Sequence, residues 1–245
     1  MIYLLSKSEL AAYARDGYLV YDRLLPEEDV DALVGRMLQR VERPIEGVLI
    51  QEEPAVQRGE GQPVSRLDSI RKIEKLVEND ALFLHLAKHP EILPRIQGVL
   101  GGAVRLFRDA LMMKPARHGS AKPYHQDSPY WQIAPMSLCS IWLALEDATP
   151  ENGCMRVIPG SHTNGAIPHE HLEDFMVTDE HIDYRKEVVV PLRKGGVLFF
   201  HSLLLHATSP NTSDYSRRAM VVSYMGAHHT WSGKPEDEPS FLALS

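Results

Sequence analysis

The apolar periodicity changes at Gly101-Gly102, and this change constrains the fold more than any other feature of the 245-residue chain. Before it, apolar residues recur mostly at helical spacing. After it come short β-branched or aromatic runs at 104–113, 137–147, 153–158, 187–192, 196–201 and 218–225. Turn signals separate them, among them Glu151-Asn152-Gly153, Pro159-Gly160-Ser161 and Lys194-Gly195-Gly196. Helices first and many short strands afterwards predict a mainly β protein, a β-sandwich or jelly roll with a helical buttress. At roughly 150 residues per domain the length allows one or two, and all-β chains of this size routinely form one. The expectation is a single domain over 1–245, mainly helical over 1–102 and jelly-roll over 103–245.

Within the first part, Ser6 and Glu9 have capping-box spacing ahead of Leu10, Tyr13 and Ala14. Residues 18–21 (Tyr-Leu-Val-Tyr) read as a strand. Pro26 opens a helix with Glu27, Glu28 and Asp29 at its positive end, and Val30, Leu33, Val34, Met37, Leu38 and Val41 repeat at helical spacing. Residues 43–68 lack periodicity and carry Pro44, Pro54, Gly59, Gly61 and Pro63. They read as a long loop, which in a compact domain is often functional. Helices are expected at 78–88 and 90–100. The acidic stretch 170–183 reads as a solvated loop. There is no internal repeat and no low-complexity tract.

Composition narrows the function. With 44% hydrophobic and 24% charged residues the chain can bury a sizeable core. A net charge of −7 does not supply the basic face that a nucleic-acid phosphate backbone demands. Two cysteines, Cys139 and Cys154, fit a reducing compartment and read as buried apolar filler. No apolar run approaches the roughly 20 residues of a membrane span, and the start turns polar after five residues, too soon for a signal peptide. A soluble, cytoplasmic protein is expected; the oligomeric state stays open.

Of the twelve histidines, His85, His89, His169, His171 and His181 fall on helices or polar loops and need no function. His228-His229 are adjacent, which on a strand sends them to opposite faces. Tyr124-His125-Gln126-Asp127 is different: in an extended segment His125 and Asp127 project to one side. An imidazole and a carboxylate on one face make two-thirds of the 2-His-1-carboxylate facial triad. The C-terminal segment offers the third ligand. After the strand-like 195–200 come His201 and His206, and eleven residues past His206 stands Arg217, opening another apolar run. A strand, turn and return strand bring that guanidinium back beside the metal, where its fork suits a carboxylate. Taken singly, His206 as a strand end and Arg217 as a surface cation are the plainer readings; the whole set at these spacings favours a site.

These stretches resemble the phytanoyl-CoA dioxygenase family of Fe(II)/2-oxoglutarate oxygenases. The resemblance rests on YHQD at 124–127, WLALEDATPENGCMRVIPGSH at 142–162 and HATSPNTSDYSRRA at 206–219, with a looser match, DGYLVYDRLLPEE, at 16–28. It implies a double-stranded β-helix, a cupin-like jelly roll with iron at one open end. His125, Asp127 and His206 match the iron ligands and Arg217 the arginine that holds the distal carboxylate of 2-oxoglutarate. Thr208 matches a hydroxyl beside that carboxylate, Trp142 an aromatic lining the co-substrate pocket, and Lys72 a lysine that reaches the co-substrate in some members. One pocket-lining residue is expected from 110–113, without the sequence fixing which. Fe(II), 2-oxoglutarate and O2 are implied, with release of succinate and CO2. A halogenase of the family lacks the carboxylate; Asp127 is present, so hydroxylation is the reading.

Tyr130 and Trp131 follow the H-x-D segment and are candidates for the substrate mouth, with barrel packing as the alternative. Asn152-Gly153 and 159–162 read as turns, and Asn211 as the organiser of the turn after His206. His201 lies too far from Arg217 in sequence to replace His206. The expected activity is hydroxylation of a small-molecule metabolite. Desaturation, ring closure or epimerisation on the same site is the nearest alternative, and a non-catalytic metal-binding cupin-like module the more distant one.

Overall fold

Strand alternation organises the molecule. In a computed structural model, described for residues 4–59, 65–171, 174–234 and 238–244, successive residues of the central strands face two different cores. Ile141, Leu143, Val197, Phe199, Met220 and Val222 face the helices, whereas Trp142, Ala144, Leu198, Phe200 and Ala219 face the barrel interior. Both faces are buried, so these strands read as continuous apolar runs rather than alternating ones. Each large side chain buried there contributes roughly 1.5–3 kcal/mol.

In chain order the elements are α1 (Lys7–Asp16), β1 (Tyr18–Tyr21), α2 (Glu27–Glu42), β2 (Leu49–Glu52), α3 (Pro54–Gln57), α4 (Arg66–Ser69), β3 (Ile70–Glu74), α5 (Leu76–Asn79), α6 (Ala81–Ala87) and α7 (Leu93–Leu100). The second part holds β4 (Val104–Lys114), β5 (Lys122–His125), β6 (Ile133–Ala134), β7 (Cys139–Ala144), β8 (Met155–Val157), β9 (Glu170–His171), β10 (Phe175–Met176), β11 (Val188–Val190), β12 (Val197–His201), β13 (His206–Thr208), β14 (Arg217–Gly226) and β15 (Thr230–Trp231). A seven-stranded sheet runs β1-β12-β7-β14-β4-β3-β2 and a four-stranded sheet runs β11-β8-β13-β5. All their pairings are antiparallel. The two sheets form the expected jelly roll, with the cavity between them.

The helices cover the outer face of the large sheet. The capping box of α1 is formed, with Ser6 and Glu9 satisfying each other's backbone N–H groups, and Gly17 ends the helix at φ 83°. Helix α2 buries Val30, Leu33, Met37 and Val41 along one stripe. The segment expected to be helical at 78–88 is interrupted at Asp80, whose side chain caps α6 and pairs with Arg36 and Arg40.

Two sequence expectations are corrected. The segment 43–68 is not a structureless loop: β2 pairs with β3, and β3 with β4, extending the large sheet by two strands from the helical part. Short runs and mixed polarity hid them, since only one face of each is buried. Gly61 and Pro63 lie outside the described residues. The stretch 170–183 is not simply solvated either. β9 and β10 form a hairpin, Val177 is fully buried, and Asp174 joins Lys122 and Arg71 at the cavity. Asp174 is paired there rather than hydrated, while Glu170 and Glu180 remain exposed.

Candidate active site

Strand β5 ends at His125 and β13 begins at His206, and their antiparallel register sets the two histidines directly opposite. The ring centroids are 4.1 Å apart. Each ring is fixed through Nδ1, which donates to Pro123 O in His125 and to Leu204 O in His206, both at 2.9 Å. A carbonyl only accepts, so the proton sits on Nδ1 and Nε2 presents a lone pair. Burial, with His206 and Lys122 alongside, holds the His125 imidazole well below its usual range, in the neutral form a metal requires.

Asp127 completes the group. Its Oδ1 lies 3.6 Å from His125 Nε2 and 3.7 Å from His206 Nε2, and the three donor atoms lie within 4.8 Å of one another. The route to this geometry differs from the strand alternation read in the sequence. Asp127 has helical backbone angles and opens a 3-10 turn over Ser128–Tyr130. It shares a side with His125 because the chain turns there, with Asp127 N donating to Ser202 O at 2.8 Å. Gln126 is fully buried on the other side, bonded to Gly165 O, Leu203 O and Ile167 N. Two imidazole nitrogens and one carboxylate oxygen converging on one point fit a divalent iron and leave further coordination positions open.

Arg217 opens β14 and is 2% exposed. Its guanidinium lies 5.3 Å from the centroid of the Trp142 ring, and burial brings its pKa down to about 10. Among the described residues its Nε and Nη1 have no hydrogen-bond partner. Buried donors left unpaired are costly, so the cavity they face calls for an anion. That cavity, of about 400 Å³, also takes in the triad, Trp142 and Thr208. Arg218 points the other way and pairs with Glu146 at 2.8 Å.

The remaining sequence candidates fall on the same cavity with other partners. Lys72 is on its wall but is paired with Glu74 at 2.8 Å. Tyr130 accepts from Lys122 Nζ at 2.8 Å and donates to Phe175 O at 3.0 Å, at the cavity edge. Trp131 packs against Phe107 and Trp231, with the Arg108 guanidinium 3.7 Å from its ring centroid. In the 110–113 stretch, Ala110 and Met112 line the cavity while Leu111 joins the helix-side core. His201 stands apart from the triad, between Tyr13 and His162. Asn211 organises its turn as expected, donating to Lys114 O and Tyr215 O. Sequence reasoning missed Glu53 and Lys114. Lys114 continues the Ala110, Met112 alternation, a signal that was available once β4 was extended by one residue.

A model of the phytanoyl-CoA dioxygenase (PhyH) family matches residues 13–219. The chain belongs to the phytanoyl-CoA dioxygenase family. Human peroxisomal phytanoyl-CoA dioxygenase is 26% identical over 230 residues, covering 88% of this chain and 67% of that protein. L-proline trans-4-hydroxylase of Streptomyces griseoviridis is 27% identical over 239 residues, covering 86% and 83%. Among solved structures, the non-heme alpha ketoglutarate dependent carbocyclase SnoK of nogalamycin biosynthesis is 26% identical, with a TM-score of 0.76 over 96% of this chain and 89% of that one. EctD from S. alaskensis, solved with 2-oxoglutarate and 5-hydroxyectoine, is 23% identical and shares the fold, with a TM-score of 0.77 over 98% and 83%. This family member is thus an iron- and 2-oxoglutarate-dependent oxygenase, as the sequence implied. Among the described residues no helix is long and apolar enough to cross a membrane.

Proposed function

We propose that this protein hydroxylates a metabolite-sized molecule, with His125, Asp127 and His206 holding Fe(II) and Arg217 gripping the distal carboxylate of 2-oxoglutarate. The observation that carries the reading is the unpaired, buried Arg217 guanidinium facing the same cavity as the triad. When bound, iron and 2-oxoglutarate supply oxidative decarboxylation of the keto acid by O2, yielding succinate and CO2 and an oxygen atom for the substrate. Trp142 shields the guanidinium, Thr208 adds a hydroxyl donor, and Lys72 flanks the wall. Tyr130 and Trp131 border the substrate. Asp127 fills the position a halide would need, which favours hydroxylation. The −7 charge and the 400 Å³ cavity favour a small substrate over a bulky polyanionic thioester. Two free, buried cysteines agree with the cytoplasm.

The test is an anaerobic titration of 2-oxoglutarate into Fe(II)-loaded protein, followed by charge-transfer absorbance. Arg217→Ala should weaken binding by about 2–5 kcal/mol, 30-fold to several-thousand-fold, with iron content unchanged. Arg217→Lys should recover part of this, and Arg218→Ala should matter far less. Alanine at His125, Asp127 or His206 should instead empty the iron site, whereas His201→Ala should not. Wild-type affinity in Arg217→Ala removes the co-substrate assignment.

A further inference from the structure

Three charged residues, Arg217, Lys114 and Glu53, line the cavity from neighbouring strands of the large sheet and the residue after β2. Arg217 is the register partner of Lys114, and Lys72 that of Met112, which places Ile70 opposite Lys114. Glu52 pairs with Ile70, and Glu53 follows, its N–H bonded to Ser69 O. Lys114 is 4% exposed and Glu53 1% exposed, and both line the cavity. Neither Glu53 carboxylate oxygen has a hydrogen-bond partner among the described residues. Lys114 Nζ donates to Ser120 O, which leaves two of its three donors over.

Space for this lysine is built in. A Cβ on Gly153 would stand 2.9 Å from Lys114 Cδ, and one on Gly119 would stand 2.6 Å from Lys114 Cβ. Asn211 holds the Lys114 carbonyl from behind. A lysine seated this tightly, with open donors beside an unpaired guanidinium and an unpaired carboxylate, is costly unless a ligand completes the set.

We infer that Lys114 is a second cationic residue for the distal carboxylate of 2-oxoglutarate, with Glu53 as the fixed counter-charge. This rests on the Arg217 reading above. Glu53 opposes Arg217 at this end of the cavity, so a protonated Lys114 strengthens the attraction for a carboxylate. The position therefore selects a dicarboxylic over a monocarboxylic keto acid. It also ties binding to a proton. Burial, then Arg217 on β14 and Arg71 on β3, lower the unliganded Lys114 to about 6, against the opposing pull of Glu53. At pH 7 most of it is neutral, and the arriving carboxylate draws a proton from solvent onto Nζ. Affinity thus falls as pH rises above about 6, until the pH passes the raised pKa of the complex.

The experiment titrates 2-oxoglutarate and the monocarboxylate 2-oxopentanoate into the full-length Fe(II) protein without oxygen, from pH 6 to 8. Lys114→Met should weaken 2-oxoglutarate about 10- to 100-fold, leave 2-oxopentanoate within about 2-fold, and flatten the pH dependence. Lys114→Arg should keep most of the affinity yet also lose the pH dependence. Glu53→Gln should tighten 2-oxoglutarate by about 3- to 10-fold. Should Lys114→Met not fold, the arginine and Glu53→Gln results decide. Unchanged 2-oxoglutarate affinity in Lys114→Met, equal weakening of both keto acids, or a wild-type pH dependence in Lys114→Arg overturns the inference and leaves a structural lysine. Failure of the wild type to bind 2-oxoglutarate overturns the proposed function itself.

Discussion

Gln126 stands between two candidate ligands and faces away from both. Its amide donates to Gly165 O at 2.9 Å and Leu203 O at 2.8 Å and accepts from Ile167 N at 2.8 Å, all with no exposure to water. This peg sets the turn that brings Asp127 round beside His125. Gln126→Met keeps the volume but strands two carbonyls and one N–H, at about 2–4 kcal/mol, or about 4–16 °C in Tm for a chain of this size. Iron affinity should fall with it, although Gln126 touches no metal position; a variant with wild-type Tm and iron content would remove its positioning role. The proposed site residues were legible where a local spacing encodes them: His125, Asp127, His206 and Arg217 all line the cavity. Lys114 and Glu53 were not legible, because their meaning comes from register between strands β2, β3, β4 and β14, which no single stretch of sequence states. Lys72, expected to reach the co-substrate, lines the cavity, and its pairing with Glu74 follows only from the strand they share.

Helix α1 meets the barrel through a small cluster of titratable rings. Tyr13 lies against His201, and His201 against His162, whose Nε2 reaches Ala14 O at 3.2 Å. Burial, with His162 alongside, pushes His201 down to about 4. An unfolded histidine titrates near 6.5. Between these values the unfolded chain holds a proton that the native protein refuses. The resulting stability is complete above about 6.5 and is lost as pH falls toward 4, by about 2 kcal/mol at pH 5. His201→Asn keeps an acceptor for Leu203 N, now met by His201 Nδ1 at 3.0 Å, but has no proton to gain. Its Tm should drop less than that of the wild type between pH 7 and 5, by about 4–8 °C, in metal-free protein; parallel melting curves would reject the assignment. The long apolar elements of this kind were the readable ones. All six strands expected after residue 103 are present; in β7 and β12, buried on both faces, the apolar run is nearly unbroken. β2 and β3 escaped notice because they are short and of mixed polarity.

At the scale of the molecule, charge and site oppose each other. The chain carries −7, and the cavity walls carry both signs, with the buried, unpaired Arg217 guanidinium among them. A dianionic co-substrate approaches a repelling body and ends at that guanidinium. Salt screens the long-range repulsion as the Debye length shrinks from about 30 Å at 0.01 M to about 8 Å at 0.15 M, and barely reaches the buried Arg217. The association rate of 2-oxoglutarate should therefore hold steady or rise over this range in stopped-flow measurements. A steep fall would place the attracting charge on the outer surface instead. The order of the large sheet has a consequence for how the protein is made. Tyr18 is the register partner of Phe200, and β4 pairs with β14. A ribosome delivers β1 and β4 long before the strands that complete them, so their apolar edges wait uncovered and are natural clients for a chaperone. His125 likewise waits for His206, so the pocket that joins them forms only after residue 206 has left the ribosome.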